Sequence, residues 1–243
     1  MTAIVGIICS DGIVISTDSS ATFGPSLYYH TIEQPHKKIE IIGDKVIIAG
    51  TGEIGLGQRF CNIIFKELGE LNGKQIPGES FFKVKHPEEA MRNLAQKTIQ
   101  NFHSTNPFYN QPGNTVGFNY GALIAYTHGD DLHLCEFDPV KFQPELKFPD
   151  HQKIFFSSMG SGQQITDPFL GLMRRIFWKQ AVPTVAEAKL IAVWTLQHAI
   201  DLNTGGINRP IQMALIKRNE KGKYSASYVP GSEIHEHMDG VAL

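Results

Sequence analysis

Thr2 follows the initiator methionine and opens the apolar run Thr2-Ala3-Ile4-Val5-Gly6-Ile7-Ile8. Removal of Met1, which is usual when the next residue is small, would leave a threonine carrying a hydroxyl nucleophile beside its own base. An α-amine titrates at about 7.7 to 8.0 and can accept the hydroxyl proton near neutral pH. Taken alone, a threonine at this position is an ordinary way to begin a strand, so its meaning depends on what else the chain supplies.

Two sets of residues compete to supply it. The stretch Gly50-Thr51-Gly52-Glu53-Ile54-Gly55 matches G-x-G-x-x-G, after a strand-like run and before a helix-like one, as in a dinucleotide fingerprint. That site also needs a second, parallel strand ending in an acidic residue. Residues 70-85 are interrupted by two glycines and a proline, and the preceding strand reads as one arm of an antiparallel hairpin. A dinucleotide-binding protein using the Gly50 loop is therefore a remote alternative. The second set is dispersed: Thr2, Asp18 within Ser16-Thr17-Asp18-Ser19-Ser20, Lys38 within Lys37-Lys38-Ile39, and Gly50 after Ile48-Ala49.

Positioning dispersed residues takes sheets. Short β-prone runs at 2-9 and 13-17 flank Asp11-Gly12, a tight-turn signal, and Lys38–Ile42 and Lys45–Ala49 flank Gly43-Asp44. Phe60, Ile64, Leu68 and Leu71 then fall at helical spacing, and Pro87-Glu88-Glu89 opens a helix with Met91, Leu94, Ala95, Thr98 and Phe102 on one face. Residues 104-118, with two prolines and two glycines, read as a surface loop. Strands resume at 120-126, 132-137 and 153-157. Two more helices follow, one defined by Ile165, Phe169, Leu172, Met173 and Ile176, the other opened by the capping box Thr184-Val185-Ala186-Glu187. Strands at 211-217 and 224-229 complete an order that predicts an α+β, four-layer αββα sandwich: two antiparallel sheets face to face, helices outside.

The 243 residues, 42% hydrophobic and 19% charged, suit one domain over 1-230, with 231-243 expected as a loosely ordered polar tail. A net charge of -2 gives no electrostatic reason for a nucleic-acid partner. Cys9, Cys61 and Cys135 lack metal-site or disulfide spacing and read as buried reduced thiols. No basic leader or membrane-length apolar run is present, so the expectation is a cytoplasmic protein with no membrane partner.

The dispersed set resembles the proteasome β-subunit family, N-terminal-nucleophile hydrolases that include bacterial single-subunit homologues. The intervals Thr2 to Asp18 and Lys38 to Gly50 agree with that family, as do Met159-Gly160-Ser161-Gly162 and Asp201-Leu202-Asn203-Thr204-Gly205-Gly206 further on. The resemblance covers most of residues 2-218 and is weakest over 71-118. It implies Thr2 Oγ as nucleophile, Lys38 as the cation favouring its deprotonation, Asp18 as the group holding Lys38 charged, and the Gly50 N–H as oxyanion donor. It further implies a supporting proton network of Ser161, Asp201 and Thr204. The family's usual serine is replaced at Thr204, which keeps the hydroxyl and adds a methyl group.

The resemblance also implies a peptide lying extended between the strand ends at Thr22 and Gly50, with Ala21, Thr22, Ile48 and Gly52 as substrate-binding positions, whose small and apolar members would favour an apolar side chain. About four extra residues around 23-30 depart from the family spacing and would reshape that pocket. The resemblance implies a threonine endopeptidase acting on peptides or unfolded protein, in a homo-oligomeric ring that can be stacked, with no metal and no organic cofactor. Any ATP dependence would come from a separate unfoldase, since the chain has no Walker motif. A catalytically silent ring subunit and a hydrolase of non-peptide amides are the alternatives.

Overall fold

In a computed structural model, the described residues are 2–23, 30–32, 36–68, 70–71, 74–75, 86–105, 117–150, 152–202 and 206–241. The strands are β1 (Ile4–Ile8), β2 (Gly12–Thr17), β3 (Ala21–Phe23), β4 (His30–Ile32), β5 (Ile39–Ile42), β6 (Val46–Gly52), β7 (Glu70–Leu71), β8 (Lys74–Gln75), β9 (Tyr120–His128), β10 (Asp131–Phe137), β11 (Pro144–Lys147), β12 (Phe156–Met159), β13 (Gln212–Arg218) and β14 (Tyr224–Tyr228). The helices are α1 (Ile54–Glu67), α2 (Pro87–Thr105), α3 (Gln163–Phe177), α4 (Val185–Leu202) and α5 (Gly231–Val241). Two five-stranded sheets run in the orders β12-β1-β2-β13-β14 and β11-β10-β9-β6-β5, and every pairing within them is antiparallel.

Side-chain alternation separates the layers. In β6, Ile47 and Ala49 face the first sheet, while Val46 and Ile48 face a second core built with Leu56, Phe60 and Ile64 of α1 and Met91, Leu94 and Phe102 of α2. β9 divides likewise, Leu123 and Ala125 on one side, Ile124 and Tyr126 on the other. β1 is buried along its whole length because the second sheet covers one face and Leu170, Met173, Ala192 and Leu196 of α3 and α4 lie in the same core. The result is the expected αββα sandwich. Flanked by antiparallel β5 and β9, β6 belongs to no parallel β-α-β unit, which removes the context a dinucleotide loop requires.

The capping box forms as read: the Thr184 N–H donates to Glu187 Oε2 at 2.7 Å, and the Glu187 N–H donates back to Thr184 Oγ1 at 3.3 Å. Four expectations need correction. Leu71 belongs to β7, because α1 stops at Glu67. The strand read over 153-157 begins at Phe156 and runs on to Met159, in the register that pairs it with β1. In α3 the buried residues are Thr166, Leu170 and Met173, whereas Leu172 (47%) and Ile176 (51%) are exposed. Finally, 231-241 is no loose tail: α5 buries Ile234, packs Met238 against the same core, and is tied to α4 by the ion pair Lys189–Glu233. Most of the predicted loop 104-118 and of the extra segment at 23-30 lies outside the described residues.

Candidate active site

The ladder registers converge on Thr2. Ile4 pairs with Thr17 on one side and Met159 on the other, so continuing both ladders by two residues sets Thr2 between Ser19 and Ser161. Hydrogen bonds bear this out: the Gly162 N–H donates to Thr2 O at 3.0 Å, and the Thr2 N–H donates to Ser161 Oγ at 3.0 Å. Gly160 makes the approach possible. Its φ is +92°, and a Cβ there would lie 2.3 Å from Thr2 O.

Lys38 reaches the same point from the other sheet. Ile39 is the last residue of β5 to pair with β6, opposite Ala49, so Lys38 stands in register with Gly50 just beyond the ladder. Its Nζ donates to Thr2 Oγ1 at 3.3 Å and to Asp18 Oδ1 at 2.7 Å. Both side chains of the pair are shielded, with 7% exposure for Lys38 and 0% for Asp18. Burial holds the Lys38 ammonium below the ordinary lysine pKa, against the opposing charge and hydrogen bond of Asp18.

Asp18 is itself tightly held. Oδ1 also accepts the Ala3 N–H at 3.0 Å, and Oδ2 accepts the Ser20 N–H at 3.0 Å and the Asn208 N–H at 3.4 Å. Ser20 Oγ lies 2.6 Å from the same Oδ2 and also contacts Gly206 O. These donors fix the orientation of the carboxylate, with Oδ1 aimed at Lys38. Together these contacts place the Thr2 alcohol within hydrogen-bond reach of a cation, and the Thr2 backbone nitrogen within reach of the Ser161 hydroxyl. That grouping can deprotonate and use Thr2 Oγ1 once the nitrogen is a free amine.

The other sequence candidates fall differently. Gly50 sits in β6 opposite Ala122, where a Cβ would approach Tyr120 Oη to 2.8 Å. Ile48 is buried against α1 rather than open to Thr2. Gly52 has φ +103° and, with Thr51, Gly160 and Ser161, lines a cleft of about 240 Å³ beside Thr2. Ala21 and Thr22 pair through β3 with Ile32 and Thr31, and their side chains lie outside the described residues, as does Thr204. Asp201 departs from the expected network: it is exposed in the last turn of α4, where its carboxylate accepts from Gln197 Nε2 at 2.5 Å rather than from the Thr2 nitrogen.

Sequence reasoning overlooked two supports. Ser20 was signalled by its place two residues after Asp18. Gln212 had no local signal, yet its Oε1 accepts the Lys38 N–H at 3.1 Å while its Nε2 donates to Ser19 Oγ at 2.7 Å.

A threonine just ahead of an interior strand of one sheet, beside a buried Lys–Asp pair whose lysine comes from the other sheet, fits the expected N-terminal-nucleophile hydrolase fold. A family model described as "Proteasome subunit" matches residues 2–100. Proteasome subunit beta 2 of Pyrobaculum neutrophilum is 25% identical over 207 residues, covering 84% of this chain and 85% of that protein. Proteasome subunit beta 2 of Pyrococcus abyssi is 39% identical over 54 residues, 22% of this chain and 24% of that protein. Among solved structures, a Gly-1 mutant of Anbu from Hyphomicrobium sp. strain MC1 superposes with a TM-score of 0.68 at 13% identity, covering 99% of this chain and 93% of that one. The helical assembly of the Anbu complex from Pseudomonas aeruginosa gives 0.65 at 15% identity, covering 98% and 92%. The chain is thus similar to proteasome subunits in sequence, through the match over residues 2–100 and the beta 2 relatives, and to Anbu in fold.

Proposed function

We propose that the protein is a threonine-type peptidase whose nucleophile is Thr2 Oγ1, exposed for catalysis by removal of Met1. The observation that carries this reading is the placing of Lys38 Nζ 3.3 Å from Thr2 Oγ1, with Ser161 Oγ 3.0 Å from the Thr2 nitrogen on the other side. After trimming, that nitrogen is a primary amine. It takes the Oγ1 proton, directly or through Ser161, while Lys38 stabilises the developing alkoxide.

Oγ1 then attacks the scissile carbonyl, and the Gly50 N–H stabilises the tetrahedral oxyanion, a donor worth about 2.7 to 4 kcal/mol. Collapse breaks the C–N bond, the departing amine takes the proton, and an ester remains on Thr2. Water, deprotonated by the same amine, hydrolyses it and restores the hydroxyl. The substrate is a peptide or unfolded protein that supplies its backbone as an added strand, with Thr22 and Gly52 flanking it.

A cytoplasmic homo-oligomer enclosing the sites is the working form, as a ring or stacked rings. The exposed Leu172, Ile176 and Phe177 of α3 support a contact between copies, and the Pseudomonas neighbour is itself a helical assembly. Any unfoldase is a separate protein. Among the described residues, no helix is long and apolar enough to cross a membrane.

Intact mass of the purified protein, before and after a peptide epoxyketone, tests the reading. Loss of Met1 and a single adduct on Thr2, absent in Thr2→Ala, are expected. Retained Met1 with no adduct overturns it in favour of a silent subunit.

A further inference from the structure

Glu136 occupies a position where a core residue would be expected. In β10, Leu134 faces the layer between the sheets and Glu136, two residues on, shares that face. Its carboxylate therefore enters the margin of the layer, where Ser157 Oγ of β12 donates to Oε2 from the opposite sheet. Lys147 Nζ lies 3.3 Å from the same Oε2 and 2.6 Å from Glu145 Oε1. One ammonium shared between two carboxylates leaves a full negative charge. Among the described residues, Glu136 Oε1 has no hydrogen-bond donor.

A partly buried carboxylate gives the sheet interface nothing that an apolar residue would not give more cheaply. It does face a cavity: Glu136 lines the cleft of about 240 Å³ together with Thr51, Gly52, Met159, Gly160 and Ser161, and among the described residues it is the one ionisable group lining it. Ser161 borders this cleft and also holds the Thr2 nitrogen, so the space opens directly beside the nucleophile. The charge, the unpartnered oxygen and the neutral character of the other described lining residues favour a cationic occupant.

We propose that the cleft receives a lysine or arginine side chain of the substrate and that Glu136 determines this specificity; the assignment rests on the reading of Thr2 as a peptidase nucleophile. An arginine would donate to Glu136 Oε1, and the Thr51 and Gln163 side chains would remain for its other donors.

The test uses fluorescent peptides with arginine, or its neutral isostere citrulline, at each position in turn, bound to the full protein and read by anisotropy. The same pairs bearing an epoxyketone report on Thr2. At one position the arginine peptide is expected to bind about 10-fold more tightly than its citrulline partner. The ratio should fall to about 1 in Glu136→Gln, while citrulline binding stays unchanged and so reports an intact fold. Glu136→Asp, which keeps the charge, should lie between. A ratio near 1 at every position in the wild type, or a ratio that survives Glu136→Gln, overturns the proposal. Absence of any Thr2 adduct, with the arginine preference intact, overturns the peptidase reading and leaves the cleft assignment standing.

Discussion

Asp18 and Lys38 form a shielded ion pair that spans the two sheets, the carboxylate at the end of β2 and the ammonium at the start of β5. Because four further donors hold the carboxylate, the pair fixes how the sheets meet at Thr2 as well as the charge of Lys38. Breaking a buried pair by neutralising one partner strands the other charge and costs about 3–5 kcal/mol. Asp18→Asn is expected to lower unfolding stability by roughly that amount in urea titrations. Its adduct rate at Thr2 should drop at least 100-fold, about the loss expected for a reacting group displaced by 1 Å. A variant of wild-type stability would refute the structural half of this expectation.

Gly160 touches Thr2 through space that only a glycine leaves open. Gly160→Ala forces a Cβ against Thr2 O in a φ region that alanine adopts at a cost of about 1–3 kcal/mol. Labelling of Thr2 should fall about 100-fold while circular dichroism still reports a folded protein. Equal labelling rates for variant and wild type would contradict the geometry.

The pH dependence follows from two groups of opposite requirement. On the peptidase reading the Thr2 amine acts unprotonated, so kcat/KM should rise through about pH 7.7 to 8.0. Lys38 must be charged, and its pKa lies below 10.5 because burial outweighs Asp18. Activity therefore falls as pH climbs through that lowered value, giving a bell whose alkaline limb precedes 10.5. For stability the sign is opposite: between the two lysine pKa values the unfolded chain binds the extra proton, so folding strengthens as pH rises through that window. An alkaline limb at or above 10.5 would count against Lys38 as the responsible group.

The apolar stripe on α3 offers a handle on assembly. Leu172→Glu with Ile176→Glu places two charges on a face exposed in the single chain, so the monomer should keep its melting temperature within a few degrees. Sedimentation should then show a smaller species than wild type. Identical sedimentation would move the contact elsewhere.

The sandwich was legible because strand-like and helix-like runs follow one another in an order that few layered architectures accommodate, and the capping box marks the start of α4 without reference to anything distant. The stripe on α3 was misread for a physical reason: periodicity identifies an apolar face, and nothing local says whether its own core or another surface covers it. α5 escaped notice because its apolar anchors, Ile234 and Met238, are two residues in a polar helix. In the candidate site, Thr2, Asp18, Lys38 and Ser161, singled out by the family resemblance, lie together. Gln212 acts from 174 positions beyond Lys38, and Asp201 turns instead to a neighbour one helical turn away, choices fixed by the folded backbone.

A polypeptide's first residues are ordinarily the ones that fray. Here the opening strand has hydrogen-bonded neighbours on both edges and cores on both faces, so the Thr2 hydroxyl just ahead of it inherits the stiffness of the sheet itself. Loosening anywhere along β2 or β12 would then surface first as a displaced Thr2, well before the molecule melts.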